Sequence, residues 1–303
     1  MIDSAPSKAL SALGLTAQGG RDVEVTGLSV DSRKTRPGHL FAALPGSRAH
    51  GAAFVEDALR LGAAAVLTDP AGAEIARPAL AEHPHVAQVI VEDPRAALAS
   101  AAALFFGAQP RVAVAVTGTN GKTSVATFTR QIWERLGEAA ANIGTTGVEG
   151  AFSAPSSHTT PEPVTLHGLL AEMAGHGITH VAMEASSHGL AQRRLDGVHL
   201  TAAGFTSFSQ DHLDYHESFE AYFEAKAGLF SRVLPDDGVA VIHADDAKAP
   251  ALVEIVEGRD IGLITVGRGA GCDLRITGQR FSATGQELRF TWRGNPRLVR
   301  LGL

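Results

Sequence analysis

Residues 112–124 read VAVAV followed by TGTNGKTS, and a helical pattern continues from there to residue 136. A short run of alternating Val and Ala that ends on glycine has the composition of a strand buried on both faces. A glycine-rich turn behind such a strand, with Lys-Thr at the mouth of a helix, constrains both fold and chemistry. Gly118 and Gly121 let backbone N–H groups close around phosphate oxygens, and the helix N-terminus adds the positive end of its dipole. Lys122 is placed to neutralise β- and γ-phosphate charge, and Thr123 offers a hydroxyl to Mg²⁺. The spacing Gly-x-x-Gly-Lys-Thr is shorter than Gly-x-x-x-x-Gly-Lys-[Ser/Thr]; the longer form is met only with Ala115 or Val116 in place of its first glycine. A glycine-rich turn without a ligand is the competing reading.

The alternation of strand and helix extends to both sides of this unit. Runs at 23–30, 64–67, 87–91, 180–183, 202–205, 239–243 and 261–266 read as strands, and 53–61, 95–106, 123–136, 164–175, 219–233 and 248–256 read as helices. This order predicts an α/β fold with mostly parallel sheets. From Cys272 onward the pattern shifts to short β-like runs at 273–277 and 287–292, which predict a β-rich end made of hairpins. The helix at 95–106 stops at Gly-Ala-Gln-Pro, so a domain boundary is expected near 107–111. The expected division is an α/β domain over 1–107 and a P-loop-type domain over 108–303. A chain of 303 residues, 45% of them hydrophobic, accommodates two such cores.

Composition excludes other classes. A net charge of −6 and a pI near 6.1 argue against a chain that coats nucleic acid. The single cysteine, Cys272, rules out an intrachain disulfide and cysteine-rich zinc sites. It fits a reducing cytoplasm and equally fits many periplasmic proteins. Residues 1–15 lack a continuous apolar core, and the most apolar stretch, 96–108, is too short to span about 30 Å of hydrocarbon. Neither a targeting segment nor membrane insertion is expected, and a monomer is.

Three further polar clusters follow candidate strands: Ser157-His-Thr-Thr-Pro-Glu162 after a strand at 139–143, Met183-Glu-Ala-Ser-Ser-His-Gly-Leu190 after 180–183, and Asp211-His-Leu-Asp-Tyr-His216 after 202–205. Open α/β sheets place ligands at that end of their strands. Each cluster also has a structural reading: Thr159-Thr160 before Pro161 as helix entry, Ser186-Ser187 as an N-cap, Asp211 as a cap.

The loop TGTNGKT resembles the ATP loop of the Mur ligases, the ATP-dependent amide-forming enzymes of peptidoglycan synthesis, and a related loop occurs in folylpolyglutamate synthetases. Taken with TTPE, MEASSHGL, DHLDYH and EAKAGLF, and with VDSR at 30–33 and GHLF at 38–41, the chain resembles the tripeptide-synthetase branch of the Mur ligases from about Thr26 onward. The resemblance implies an N-terminal uridine-binding domain and a central ATPase domain. It carries ATP binding to Gly118, Thr119, Asn120, Gly121, Lys122, Thr123 and Ser124. It carries Mg²⁺ binding to Thr123, Glu184 and His212, and a CO₂-derived carbamate to Lys226, which would add a pseudo-carboxylate to the metal site. By its residue type and position alone, Lys226 reads as an exposed helix lysine; carbamylation needs a neutral amine, which burial favours. Substrate contacts carry over to Val30, Ser32, Ser47, Arg48, Ala49, His158, Thr159, Thr160, Ser186, Gln192 and Arg194. His158 departs from the asparagine many relatives have, and Arg193 is a neighbour able to take the role of Arg194.

The reaction implied is addition of a diamino acid, meso-diaminopimelate rather than L-lysine, to UDP-MurNAc-L-Ala-D-Glu through an acyl phosphate, in the cytoplasm, with Lys122, His212 and carbamylated Lys226 catalytic. Relatives continue past a segment like 296–303 into a Gly-x-Phe-Asn motif and a third domain with an Asp-Asn-Pro-Arg motif, neither of which occurs here. The alternatives are a nucleotide- and UDP-sugar-binding module without ligase turnover, and a Mur ligase acting on a longer or shorter peptide. The combination of VDSR, TTPE and MEASSHGL weighs against the last.

Overall fold

The computed structural model describes residues 7–155, 158–209 and 215–302. The chain begins with β1 (Lys8–Ala9), β2 (Glu24–Val25), β3 (Gly27–Ser29), β4 (His39–Ala42), α1 (Val55–Arg60), β5 (Ala65–Thr68), α2 (Pro70–Ala81), β6 (Ala87–Ile90) and α3 (Pro94–Phe106). It continues through β7 (Val112–Thr117), α4 (Lys122–Arg135), β8 (Ala140–Gly144), β9 (Gly147–Gly150), α5 (Pro163–Gly175), β10 (His180–Glu184), α6 (Ser187–Ala191) and β11 (Ala202–Phe205). Then come α7 (Phe219–Gly228), β12 (Val239–His243), α8 (Ala249–Gly258), β13 (Gly262–Gly267), β14 (Leu274–Ser282), β15 (Gly285–Trp292) and β16 (Asn295–Gly302).

Two compact units result. The first holds the chain up to Gln109 together with Pro161–Gly175 and Gln192–Val198; the second holds Pro110–Thr160, His176–Ala191 and the chain from His199 onward. The first unit thus takes in two segments from beyond the break expected near 107–111. Both lie against α3, and at the second a glycine is what permits it: a Cβ on Gly197 would press to 2.8 Å from Ala103 Cβ.

In the first unit, parallel strands β3-β4-β5-β6 form a four-stranded sheet. Alternation along β4 and β5 sends Leu40, Ala42, Ala65 and Leu67 to one face, with Leu98 and Phe105 of α3. Phe41, Ala43 and Val66 go to the other, with Val55 and Leu59 of α1 and Leu80 of α2. The run at 23–30, expected as one strand, is two. Val25 pairs with Lys8 in a separate two-stranded sheet, and Gly27–Ser29 joins the parallel sheet after a break at Thr26. Helix α2 has no counterpart among the expected elements, although Asp69 caps it and Pro70 starts it, because Pro78 interrupts the helical pattern.

In the second unit a ten-stranded sheet runs β16-β15-β14-β13-β12-β11-β7-β10-β8-β9. It is parallel from β8 through β14 and antiparallel at β9, β15 and β16. The parallel centre is buried on both faces, as the runs VAVAV and HVAME require. The expected helix 219–233 ends earlier as α7 and continues as a π-helical turn over Leu229–Val233. No helix among the described residues is long and apolar enough to cross a membrane.

Candidate functional site

Strand β7 ends at Thr117, and the glycine loop turns directly into α4. Gly118 has φ +144°, and a Cβ there would fall 2.0 Å from Thr206 Oγ1, so the loop passes too close to the 206–209 segment for any side chain. Gly121 caps α4 with φ +87°. The segment after β11 holds the loop from outside. Thr119 N–H donates to the Ser207 carbonyl (2.7 Å), Asn120 N–H to Ser207 Oγ (3.2 Å), and Thr206 Oγ1 to the Asn120 carbonyl (2.6 Å). Thr119, 8% exposed, also accepts from Ser209 N–H (3.0 Å) and meets the Tyr222 hydroxyl at 3.2 Å. Its polar groups therefore brace the loop from the protein side. Lys122 Nζ folds back to the carbonyls of Gly118 (2.9 Å) and Thr119 (3.0 Å), which places a cation at the loop, and Thr123 and Ser124 open the helix beside it.

On the neighbouring strand Glu184 is in register with Val116, one residue short of the loop's Thr117. Its carboxylate is 2% exposed, and Oε1 accepts from Thr145 N–H at 2.8 Å. A Cβ on Gly144 would come within 2.1 Å of that oxygen, so glycine at 144 is what lets the carboxylate approach β8. Oε2 meets Thr145 Oγ1 at 3.4 Å, a long contact that leaves lone pairs for a cation. Thr145 Oγ1 lies 3.1 Å from Thr159 Oγ1. Thr160 Oγ1 donates to the Glu184 carbonyl (2.9 Å) and accepts from Ser186 N–H (3.0 Å), and Ser186 Oγ accepts from Gly189 N–H (3.0 Å). Thr159, Thr160, Glu184 and Ser186 are thereby one bonded group; His158 beside them is exposed.

Lys226, on α7, is 1% exposed, not the surface lysine its position on a helix suggests. Its Nζ donates to the same Gly118 carbonyl as Lys122 (2.9 Å) and lies 4.5 Å from the centre of the Tyr222 ring. His212 lies outside the described residues. Among the described ones, no group of three or more His, Cys, Asp or Glu is placed to hold a metal ion. Thr123 and Glu184 nonetheless offer the hard oxygen donors that suit Mg²⁺ beside a phosphate loop. Ser187 is 1% exposed with its Oγ unbonded, and the His188 ring lies tilted against that of Tyr215 with centroids 3.7 Å apart, so these two do not form a nucleophile–base pair.

In the first unit the expected contacts also sit at strand ends. Val30 and Ser32 follow β3; Ser47, Arg48 and Ala49 follow β4 and are exposed. Asp31 and Arg33 are spent on each other, with Arg33 Nε at 2.9 Å and Nη2 at 2.8 Å from the carboxylate. Hydrogen bonding from Arg33 holds the Asp31 carboxyl below the usual carboxylate range. Arg193 adopts φ +60° and pairs with Asp93 (3.0 Å), the N-cap of α3, and with Asp196 (3.6 Å). Arg194 instead bonds Gln192 Oε1 through Nε (3.2 Å) and Nη2 (2.7 Å), which joins the two expected contacts at 192 and 194. Residues outside the expected set that shape the sites are Thr145, Thr206, Ser207 and Tyr222. Their signal lies in three-dimensional pairing and not in any local motif.

The Mur ligase middle domain matches residues 116–302, and the catalytic domain of the Mur ligase family matches residues 24–106. The chain is 52% identical over 248 residues to a UDP-N-acetylmuramoyl-L-alanyl-D-glutamate–2,6-diaminopimelate ligase of Mesorhizobium japonicum, covering 82% of this chain and 50% of that protein. It is 47% identical over 287 residues to the enzyme of the same name from Bradyrhizobium diazoefficiens, covering 93% and 57%. It therefore spans about half the length of the curated relatives it matches. A solved diaminopimelate ligase of that name superposes with a TM-score of 0.81 at 29% identity, over 97% of this chain and 59% of the other. MurF from Acinetobacter baumannii superposes at 0.61 with 20% identity, over 98% and 62%, a likeness of fold. With a family domain matched over more than half its length, the chain belongs to the Mur ligase family.

Proposed function

We propose that the chain forms the uridine-nucleotide and ATP-binding parts of a cytoplasmic, monomeric ligase that adds meso-diaminopimelate to UDP-MurNAc-L-Ala-D-Glu. The observation that carries this reading is the bonded group Thr159–Thr160–Glu184–Ser186, whose Glu184 ends a strand in register with the one that feeds the phosphate loop. That arrangement supports an acceptor-substrate site beside the one proposed for ATP. Val30, Ser32 and the exposed Ser47, Arg48 and Ala49 would meet the uridine nucleotide. His158, Thr159, Thr160, Ser186, Gln192 and Arg194 would meet the diphosphate and peptide, the planar fork of Arg194 suiting either anion.

In the proposed reaction a D-Glu carboxylate oxygen attacks the γ-phosphorus of ATP and the bond to the β-bridging oxygen breaks, giving acyl phosphate and ADP. The amine of the diamino acid then attacks the acyl carbon, loses a proton, and phosphate leaves. Two anions must approach in the first step, so the task of the protein is positioning and charge neutralisation. Lys122 brings its ammonium to the phosphates. The N–H groups at the start of α4 face the same anion, while Thr119 fixes the loop's shape. Mg²⁺, held by Thr123 and Glu184 and, at a second position, by His212 and a carbamate on Lys226, would neutralise and orient the phosphate oxygens. Burial of Lys226 supports that modification, because a neutral amine is what adds to CO₂, releasing a proton. Carbon-13 NMR of the chain in labelled bicarbonate would show a carbamate signal that is absent from Lys226→Ala; identical spectra would remove Lys226 from this role.

The decisive experiment supplies ATP, UDP-MurNAc-L-Ala-D-Glu and either meso-diaminopimelate or L-lysine, and follows binding, phosphate release and amide product. Binding of both nucleotides with diaminopimelate-dependent product is expected. Binding of both ligands without product would select instead a nucleotide- and UDP-sugar-binding module. Failure to bind either ligand overturns both readings.

A further inference from the structure

We infer that His50 is a positioning residue that locks the exposed loop at 45–49 to the end of β5, fixing in advance the surface that meets the uridine nucleotide. The inference rests on the uridine reading of the first unit. The loop is closed at its base, where Gly51 N–H donates to the Leu44 carbonyl at 2.8 Å. It is tight within, since a Cβ on Gly46 would stand 2.4 Å from the Ala49 carbonyl oxygen. Arg95 of α3 donates to the Pro45 carbonyl.

His50 supplies the remaining fixed point. Its Nδ1 accepts from Ala52 N–H at 3.0 Å and caps the short helical turn that follows the loop. With Nδ1 an acceptor, Nε2 carries the proton and donates to Asp69 Oδ1 at 3.0 Å. Asp69 in turn accepts from Gly72 N–H at 2.6 Å and caps α2. One imidazole therefore ties together two helix starts that follow neighbouring strands. Gly72 makes room for it: a Cβ there would be 2.4 Å from His50 Cε1. A second tie runs alongside, from Thr68 Oγ1 to the Ala43 carbonyl at 2.8 Å.

Caps are ordinarily short side chains such as Ser, Asp or Asn. A short residue at 50 would satisfy Ala52 but would not reach Asp69, so the choice of histidine serves the longer span. The consequence is preorganisation. Ser47, Arg48 and Ala49 project from a loop anchored on both sides, and a ligand that touches them does not meet the entropy of ordering it.

The test uses His50→Asn, which retains an acceptor for Ala52 N–H and loses Asp69, and Asp69→Asn, which retains an Oδ1 acceptor for both His50 and Gly72. Titration calorimetry with UDP and, separately, with ATP should show UDP affinity about tenfold weaker in His50→Asn and within about twofold in Asp69→Asn, with ATP affinity unchanged in both. Amide hydrogen exchange should quicken at 46–49 in His50→Asn while α2, still capped by Asp69, keeps its protection. Absence of UDP binding by the unsubstituted chain overturns the uridine reading. UDP binding with unaltered affinity in His50→Asn, equal loss of UDP and ATP affinity, or unchanged exchange at 46–49 overturns the role of His50 and leaves the uridine reading standing.

Discussion

Both sheets have candidate residues beyond the C-terminal ends of parallel strands, yet the two units hold theirs in opposite ways. In the four-stranded sheet Ser47, Arg48 and Ala49 are exposed, and the bonds that fix them lie behind them, in His50, Asp69 and Arg95. In the second unit Glu184, which ends a strand of the ten-stranded sheet, and Thr160 and Lys226 beside that sheet are each at most 2% exposed and are themselves the bonded groups. A surface that recognises a ligand needs shape and accessible donors. A centre for phosphoryl transfer needs charges fixed where water is scarce. In the second sheet, support and the proposed function therefore reside in the same atoms, and substitutions there that remove a bonded atom or its room should damage fold and ligand binding together, whereas one that keeps the bonded atom and changes only charge should affect binding alone. In the first, the two should separate.

Gly118→Ala is expected to have the largest effect. The backbone there is at φ +144° and the new methyl would collide with Thr206 Oγ1. A loss of about 3 kcal/mol or more in urea unfolding is expected, with ATP binding lost as well. An unchanged unfolding midpoint would break the contrast. Glu184→Gln sharpens it further. The amide oxygen still accepts from Thr145 N–H, so the midpoint should hold while Mg²⁺-dependent ATP affinity falls about tenfold, as expected when a cation loses one charged ligand.

Arg193 and Arg194 carry the same contrast within two adjacent residues. Arg193 is tied to Asp93 and Asp196, both partly exposed, so Arg193→Ala should cost about 1 kcal/mol of stability. Arg194→Ala should leave the unfolding midpoint unaltered and weaken binding of UDP-MurNAc-L-Ala-D-Glu. The reverse pattern would assign the substrate contact to Arg193.

What was legible in the sequence follows from range. The phosphate loop, its strand and its helix are local, and VAVAV-TGTNGKTS specifies them through composition and glycine placement. The parallel order was legible from alternation, and so was the strand that Glu184 ends. The burial of Lys226 was not visible in its own residue pattern, because it depends on a carbonyl 108 residues away. The two later segments that join the first unit, 161–175 and 192–198, were missed for the same reason. Helix α2 was lost to a local conflict: Pro78 forbids an interior N–H bond, but at this exposed position the capped start and the buried Gly72, Ala76 and Leu80 outweigh it.

The smallest expected effect concerns a titratable group packed within the first sheet, away from the exposed loop at 47–49. His39 on β4 lies across Gly27 on β3, where a Cβ would be 2.4 Å from its Nε2, and its Nδ1 is buried without a hydrogen-bond partner. Burial, with Arg36 adding repulsion, pushes the imidazole pKa below its ordinary 6.5. The folded chain therefore binds the proton less readily than the unfolded chain. Above about pH 6.5 both states hold a neutral ring and the full stability is present; as pH falls from there toward the depressed folded value, the unfolded chain takes up the proton first and stability declines. Urea unfolding at pH 7.5 and at pH 5.5 should show a larger loss in the unsubstituted chain than in His39→Gln, which cannot titrate. Equal losses in the two would mean that the ring is hydrated in the folded state and that the β3–β4 seam is more open than its packing against Gly27 indicates.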